Sequence, residues 1–377
     1  MVIASTLCAC HNHTTSITDC VTINVSEGKE SSSIDCIIDT ANIEFITLET
    51  NTDCILGDIN KISFKGDTII IFDIQTKSIY FFDNNGNYLS KIHRVGRSKS
   101  EYIDIYDACF SDDEIIILDN DQFKVLAYDY AGKYKYSFEI PDGVSINSKD
   151  EKIFIGNMWG GAVNCGYQVL VYNKAGEQLS THLKVGKKDQ NRFYEETSFF
   201  TKSGDILYYW QPTDDVVYKY ENGDFVPSYM FDFGKNSLPL QIARKGLSYV
   251  IKNNLHKKYS WVKNLSESGR YRFITYEAGS ELYPMFTSVY DKKKKKMIAS
   301  SLLLNVDKVG YGQVIPQLDD SGEYMILYIP GGFASEIQKS NKGKYGETSI
   351  WPQSDLNLTD NDNGVLIKMK LKGYDAD

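Results

Sequence analysis

Ile71-Phe72-Asp73, Phe81-Phe82 and Asp83-Asn84-Asn85-Gly86-Asn87-Tyr88 return 46 residues later as Ile117-Leu118-Asp119, Ala127-Tyr128 and Asp129-Tyr130-Ala131-Gly132-Lys133-Tyr134. The turn glycine recurs at Gly176, 44 beyond Gly132, in Val171-Tyr172-Asn173-Lys174-Ala175-Gly176. It recurs again at Gly223, 47 further on, in Tyr218-Lys219-Tyr220-Glu221-Asn222-Gly223. The junctions repeat too, Val95-Gly96-Arg97 and Val185-Gly186-Lys187 standing 90 apart, twice the unit. A period in the forties, made of short strands and hairpin turns, marks a β-propeller blade.

Each unit reads as strands for physical reasons. Thr68 to Asp73 is short, β-branched and aromatic, which suits a strand buried on both faces. Ser78 to Asp83 follows as the next strand, Asn84-Asn85-Gly86-Asn87 supplies the positive φ of a tight hairpin, and Tyr88 to Ile92 leaves it as the outer strand. About six blades of roughly 45 residues account for some 270 residues. The expected fold is therefore all-β: a six-bladed β-propeller with four-stranded blades, occupying 44–372 as one domain. The strand near Val365 to Leu371 is expected to complete the blade begun near Glu44 to Leu48.

One segment departs from this pattern. After Phe231-Asp232-Phe233-Gly234-Lys235, apolar residues fall at Leu240, Ala243, Leu247, Val250, Ile251 and Leu255, the spacing of a helix face, with Pro239 suited to its first turn. Residues 235–269 are expected to form a helical insertion between blades 4 and 5, packed on the ring or lying as a lid over one mouth of the central funnel.

Composition narrows the class. The 377 residues are 42% hydrophobic with 27 Tyr and 18 Phe, a β-rich signature. A net charge of −9 excludes the basic footprint that nucleic acid requires. The five lysines from Lys292 to Lys296 fall where a hairpin tip is expected, so they read as a solvated turn.

Residues 1–10 are apolar and end Leu7-Cys8-Ala9-Cys10, like a bacterial lipobox in which Cys10 carries the lipid. No basic segment precedes it and the apolar core is short, which places the expected true start upstream. Residues 11–43 then read as a polar tether, and no later stretch reaches the roughly 18 apolar residues of a membrane span. Of the seven cysteines, five remain once Cys8 and Cys10 are set aside, an odd number that leaves a free thiol. Cys109, in Ala108-Cys109-Phe110, is expected to be a small buried apolar residue.

Arg94-Val95-Gly96-Arg97, then Glu101-Tyr102 and Ile105, resembles the junction of a six-bladed β-propeller family of Bacteroidetes lipoproteins, NHL-like in style. Gly96, Glu101 and Tyr102 match its Gly-rich segment, while Ser98-Lys99-Ser100 replace the Pro-Gly part. Phe231 to Lys235 with Leu238-Pro239, and Asp360 to Ile367 with Lys370-Leu371-Lys372, also resemble motifs of that family. The resemblance implies a lipid-anchored location on the cell envelope. Its members are mostly of unknown activity, so it implies little about function.

The inventory for catalysis is sparse. There are five histidines; His11 and His13 fall in the tether, His93 and His182 just past equivalent hairpins, and His256 in the insertion. A three-histidine metal site on the axis is not expected. Carboxylates such as Asp73, Asp83, Asp119 and Asp129 stand at turns, where they accept backbone N–H bonds. Asp360-Asn361-Asp362-Asn363-Gly364 lacks the downstream glutamate and the glycine position of a calcium loop. No nucleophile elbow, phosphate loop or dinucleotide fingerprint occurs.

The expectation is thus a monomeric, non-catalytic, envelope-associated binding scaffold. It would use no cofactor or metal and recognise a protein, peptide or glycan at one propeller face, touching the membrane only through its N-terminal lipid. Trp159 and Trp210, flanked by Gly or Pro, are the expected stacking residues, with Arg97 and Arg192 at the rim. The alternative is a metal-assisted hydrolase or lyase acting on a glycan or peptide in the funnel.

Overall fold

The computed structural model describes residues 20–25, 32–33, 36–158, 166–190, 192, 198–279, 285–299, 302–303, 317–341 and 356–373. Six four-stranded antiparallel sheets follow one another along the chain as the blades of a propeller. Blade 1 holds Ile59–Lys65, Thr68–Asp73, Ser78–Asp83 and Tyr88–Ile92, from the axis outward. Blade 2 repeats this with Asp107–Phe110, Ile115–Asp119, Lys124–Tyr128 and Tyr134–Glu139. The inner strands of blades 3 to 6 are Ser145–Lys149, Phe200–Ser203, Trp261–Glu267 and Gln317–Leu318.

The β-branched runs lie where their composition requires. Ile69, Ile70, Ile71 and Phe72 are fully buried, as are Ile115 to Leu118, because each middle strand is sandwiched between two neighbouring blades. The core is accordingly a series of apolar layers between blades, one of them formed by Ile70, Phe72, Ile79 and Phe81 of blade 1 with Ile115, Ile117 and Leu126 of blade 2.

The ring closes as expected. Ile38–Thr47 pairs antiparallel with Val365–Leu371, so the first and last parts of the chain share blade 6 and leave its inner three strands covered. Gly86 ties this closure to blade 1: it sits at φ 85, its carbonyl accepts from the Glu49 N–H at 2.8 Å, and a Cβ there would collide with the Thr47 carbonyl.

Two expectations need correction. Residues 11–43 were expected as a tether, yet Val21–Asn24 forms a fifth, parallel strand on blade 4 beside Tyr229–Asp232, with Ile23 and Val25 buried in its core. Ser32–Ser33 pairs with Leu302–Leu303, and the chain then enters blade 6, so its N-terminal part crosses the outside of the ring from blade 4 to blade 6. The insertion is also shorter than 235–269. It comprises α1 (Leu240–Ala243), α2 (Leu247–Lys252) and two 3-10 turns, and Trp261–Glu267 already belongs to blade 5. A single helix is excluded by Gly246, which takes φ 82 between α1 and α2.

Strand polarity sorts the loops onto two faces. Turns joining first to second and third to fourth strands lie on one, here the lower face; second-to-third turns and blade junctions lie on the upper face. The insertion is therefore on the upper face, as is α3 (Gly331–Asn341), which joins the second and third strands of blade 6.

Candidate functional site

The six inner strands enclose a channel of about 1390 Å³, larger than the roughly 300–1,000 Å³ of a typical small-ligand site. Toward the upper face it is crossed by side chains. Lys61 of blade 1 donates to Asp107 Oδ1 at 2.5 Å and to the Ala108 carbonyl at 2.8 Å, and its Nζ lies 3.4 Å from Ser198 Oγ. Ser198 leads into blade 4, opposite blade 1 in a ring of six, so this contact spans the axis. Asp107 Oδ2 in turn accepts from Ser145 Oγ at 3.1 Å and the Ile146 N–H at 2.8 Å, while Ser145 Oγ accepts from the Phe199 N–H at 2.9 Å. Blades 1 to 4 are thus stitched together by one charge-assisted network. The space extends to lower-face turns at Gly66, Asp112, Asp150 and Asp205, and Leu247 of the insertion also reaches its wall.

Residues from both faces of the inner strands line that space. In blade 1, Ser63 and Lys65 alternate with Ile62 and Phe64, and all four reach the channel wall. Ser63 Oγ donates to Asp320 of blade 6, 2.9 Å from both carboxylate oxygens. Solvent reaches Asp320, yet the channel wall rings it, and this enclosure pushes its carboxyl up. The Ser63 hydroxyl opposes the shift, Asp319 adds to it, and Lys65 and Lys202 oppose it. Lys65 is itself engaged, donating to the Ser111 carbonyl at 2.9 Å with its Nζ 4.9 Å from the Tyr130 ring centre. Lys202 of blade 4 is exposed and makes no ion pair among the described residues. Asp112, Asp113, Asp150, Glu151 and Asp205 stand on the rim with Lys65, Lys149 and Lys174, which pair with the first four of them.

Other charges near the channel are neutralised. Glu114 is buried between Lys135 at 2.6 Å, Lys174 at 3.1 Å and the Tyr136 hydroxyl at 2.8 Å. Glu267 is likewise buried between Arg272 at 2.7 Å, Lys292 at 3.0 Å and the Tyr229 hydroxyl at 2.5 Å. Both networks lock neighbouring blades and leave neither Glu114 nor Glu267 free for chemistry. Among the described residues no three His, Cys, Asp or Glu side chains are grouped to hold a metal ion. His182 sits on the outer strand of blade 3, its Nδ1 2.7 Å from Asp224 Oδ1, and His93 is on Ser78 at 3.0 Å.

The residues expected to touch ligand do not converge. Trp210 is 1% exposed and packs with Tyr208, Val217, Tyr229, Ile23 and Val25, so it is core and presents no stacking face. Pro212, two residues on, marks a strand end, but the side chain packs inward, in an apolar layer that includes Ile23 and Val25. Arg192 is buried as well; it donates to the Thr213 carbonyl, and Asp189, Asp214 and Asp215 surround its charge. It is an internal counter-ion, not a rim group. Arg97 is exposed on the upper face, in the junction where Gly96 leaves room for Glu101 and Tyr102 is anchored to the Lys77 carbonyl at 2.9 Å. Trp159 and Cys10 lie outside the described residues. Cys109 is buried as expected, which raises its thiol to about 11.

Sequence reasoning missed Phe64, Phe110, Lys202 and Asp320, all on the channel wall. The signal was present for blade 1: Ile62-Ser63-Phe64-Lys65 precedes a Gly66 turn and the Thr68 strand, so it had to be the innermost strand of its unit.

No curated protein matches the sequence. Among solved structures, a protein of Bacteroides fragilis named as exported is similar at 17% identity, covering 93% of this chain and 99% of its own, with a TM-score of 0.72. A member of the DUF4221 family from Bacteroides vulgatus is similar at 11% identity, covering 88% and 96%, with a TM-score of 0.53. At these identities the likeness shows a shared propeller fold. A domain of unknown function, DUF4934, matches residues 20–370, nearly the whole ring and its N-terminal strand, and the chain belongs to that family.

Proposed function

We propose that this propeller is an envelope-associated binding scaffold that takes a peptide or glycan segment into the channel from the lower face. The observation that carries this reading is the wall itself. Lys202 and Asp320 line one space, neither with a salt-bridge partner among the described residues, and Phe64 and Phe110 stand beside them. Opposite charges with aromatic surface suit a polar chain that offers hydrogen bonds and flat faces. Screening the purified chain on peptide and glycan arrays identifies the ligand. Lys202→Ala, Asp320→Asn and Phe64→Ala should then each cost about 1–3 kcal/mol of binding, the first two without lowering the melting temperature, since Phe64 also packs on the core between blades 6 and 1. Normal binding by all three places the site elsewhere. Mass spectrometry of the bound ligand tests the hydrolase or lyase reading, which has the upward-shifted Asp320 carboxyl as its candidate acid. Cleavage products absent from Asp320→Asn would replace the scaffold reading.

Location is part of the same proposal. The Leu7-Cys8-Ala9-Cys10 pattern and the likeness of the junctions to an NHL-like lipoprotein family support a lipid anchor on Cys10. In a fusion that places a lipoprotein signal sequence ahead of Leu7, Cys10→Ala should move the protein from salt-washed membranes to the soluble fraction. Retention in the washed membranes would end the lipoprotein reading.

A further inference from the structure

The 34 residues from Phe233 to Ser266 contain no Asp or Glu, although the chain has 50 of them. They contain Lys235, Arg244, Lys245, Lys252, Lys257, Lys258 and Lys263. A chain of net charge −9 therefore carries a strongly basic insertion on its upper face. The insertion is held rigidly. Leu238, Ala243, Val250, Tyr259 and Trp261 form a buried cluster beneath it, and Arg244 makes a two-point ion pair with Asp189 at 2.8 and 3.1 Å. What remains points outward: Lys235, Lys245, Lys252 and Lys258 are exposed, with Leu240 42% and Ile251 54% exposed among them. Phe333 of α3, one blade further round on the same face, is 45% exposed.

We infer that this upper face rests on an anionic lipid surface. Charge complementarity selects an anionic partner. Exposed Leu and Ile side chains set between lysines favour a bilayer over a soluble polyanion, because lysines meet headgroups while the apolar groups enter the acyl boundary. Contact there turns the lower face of the channel away from the membrane. This inference does not depend on the ligand reading; the two faces are tested separately. It adds a second membrane contact to the expected N-terminal lipid.

The test uses the full unacylated chain in vesicle co-sedimentation, with phosphatidylcholine alone and with added phosphatidylglycerol. Binding is expected only to the anionic vesicles and should weaken with salt. Changing Lys235, Lys245, Lys252 and Lys258 together to Glu should weaken it by about tenfold or more. Leu240→Ser with Ile251→Ser should weaken it several-fold, whereas both variants keep the wild-type melting temperature. If the fourfold variant fails to fold, Lys252→Glu alone with a salt titration serves, since that side chain is exposed. Absent binding, or binding indifferent to lipid charge or to the lysines, overturns the inference. Vesicle binding unchanged by the Leu240 and Ile251 substitutions, matched by equal affinity for heparin, would instead show an acidic-polymer site.

Discussion

Asp83, Asp129 and Asn173 occupy the same turn in three blades, and each side-chain oxygen accepts two backbone N–H groups, from Asn85 and Asn87, Ala131 and Lys133, and Ala175 and Glu177. Asp73 and Asp119 do the equivalent at buried upper-face turns, accepting from Thr76 and Gln122 at 2.9 and 3.1 Å. These roles were readable from spacing because a turn dictates its own chemistry. Burial by a distant segment was not readable, and Trp210 shows it. Trp210→Ala should cost about 3–5 kcal/mol in urea unfolding, whereas a ligand-contact tryptophan would leave stability near wild type. Asp215 is a different case. Burial raises its carboxyl to about 7, with Asp214 adding and Arg192 opposing. Its unfolded value is near 3.8, so its contribution to folding is fully present below that value and is lost as pH rises through 7. Asp215→Asn should therefore gain about 1–2 kcal/mol over wild type near pH 8 and little near pH 4, in paired urea titrations. A gain confined to acid pH would show the sign to be wrong.

Elements were legible where their period was regular. Sequence pattern places Trp261–Glu267 in the insertion because a register shift between Val262 and Asn264 breaks its alternation. Val21-Thr22-Ile23-Asn24-Val25 alternates cleanly, but its polar surroundings hid it and its partner lies some 200 residues away in parallel pairing. Packing, not the local pattern, decides that this segment is a strand. Ile23 is 1% exposed and shares its apolar layer with Trp210. Ile23→Ala should cost about 2–5 kcal/mol. Combined with Trp210→Ala it should cost less than the sum, since both residues line one layer. Strict additivity in the double mutant would mean that the N-terminal strand does not cover that tryptophan. Among channel residues, the inner-strand assignment was legible for Ile62 to Lys65, but the pairing of Ser63 with Asp320 was not, because 257 residues separate them and only ring closure brings them together.

At the scale of the molecule, stability rests on that closure. Among the described residues Val365–Leu371 is the sole bridge between Tyr324–Ile329 and Ile38–Thr47 in blade 6. Asn363, just ahead of it, is buried and fully used: its amide donates to the Glu49 and Cys54 carbonyls at 2.6 and 2.7 Å and its Oδ1 accepts from the Leu56 N–H at 2.8 Å. Asn363→Ala leaves these buried groups unmet and should destabilise by about 2–4 kcal/mol, read as a shift in the urea midpoint. Truncation before residue 356 is more drastic. It would strip the strand from blade 6 and leave two long apolar edges facing the same gap, a template for pairing between chains. The truncated chain should therefore elute as dimers and larger species in size exclusion with light scattering, against a monomer for the full chain. Adding a synthetic peptide of residues 356–373 should restore the monomer, because the missing strand supplies both ladders and the Asn363 clip at once. A truncated chain that stays monomeric and as stable as the full one would mean that the ring does not depend on this strand for its closure.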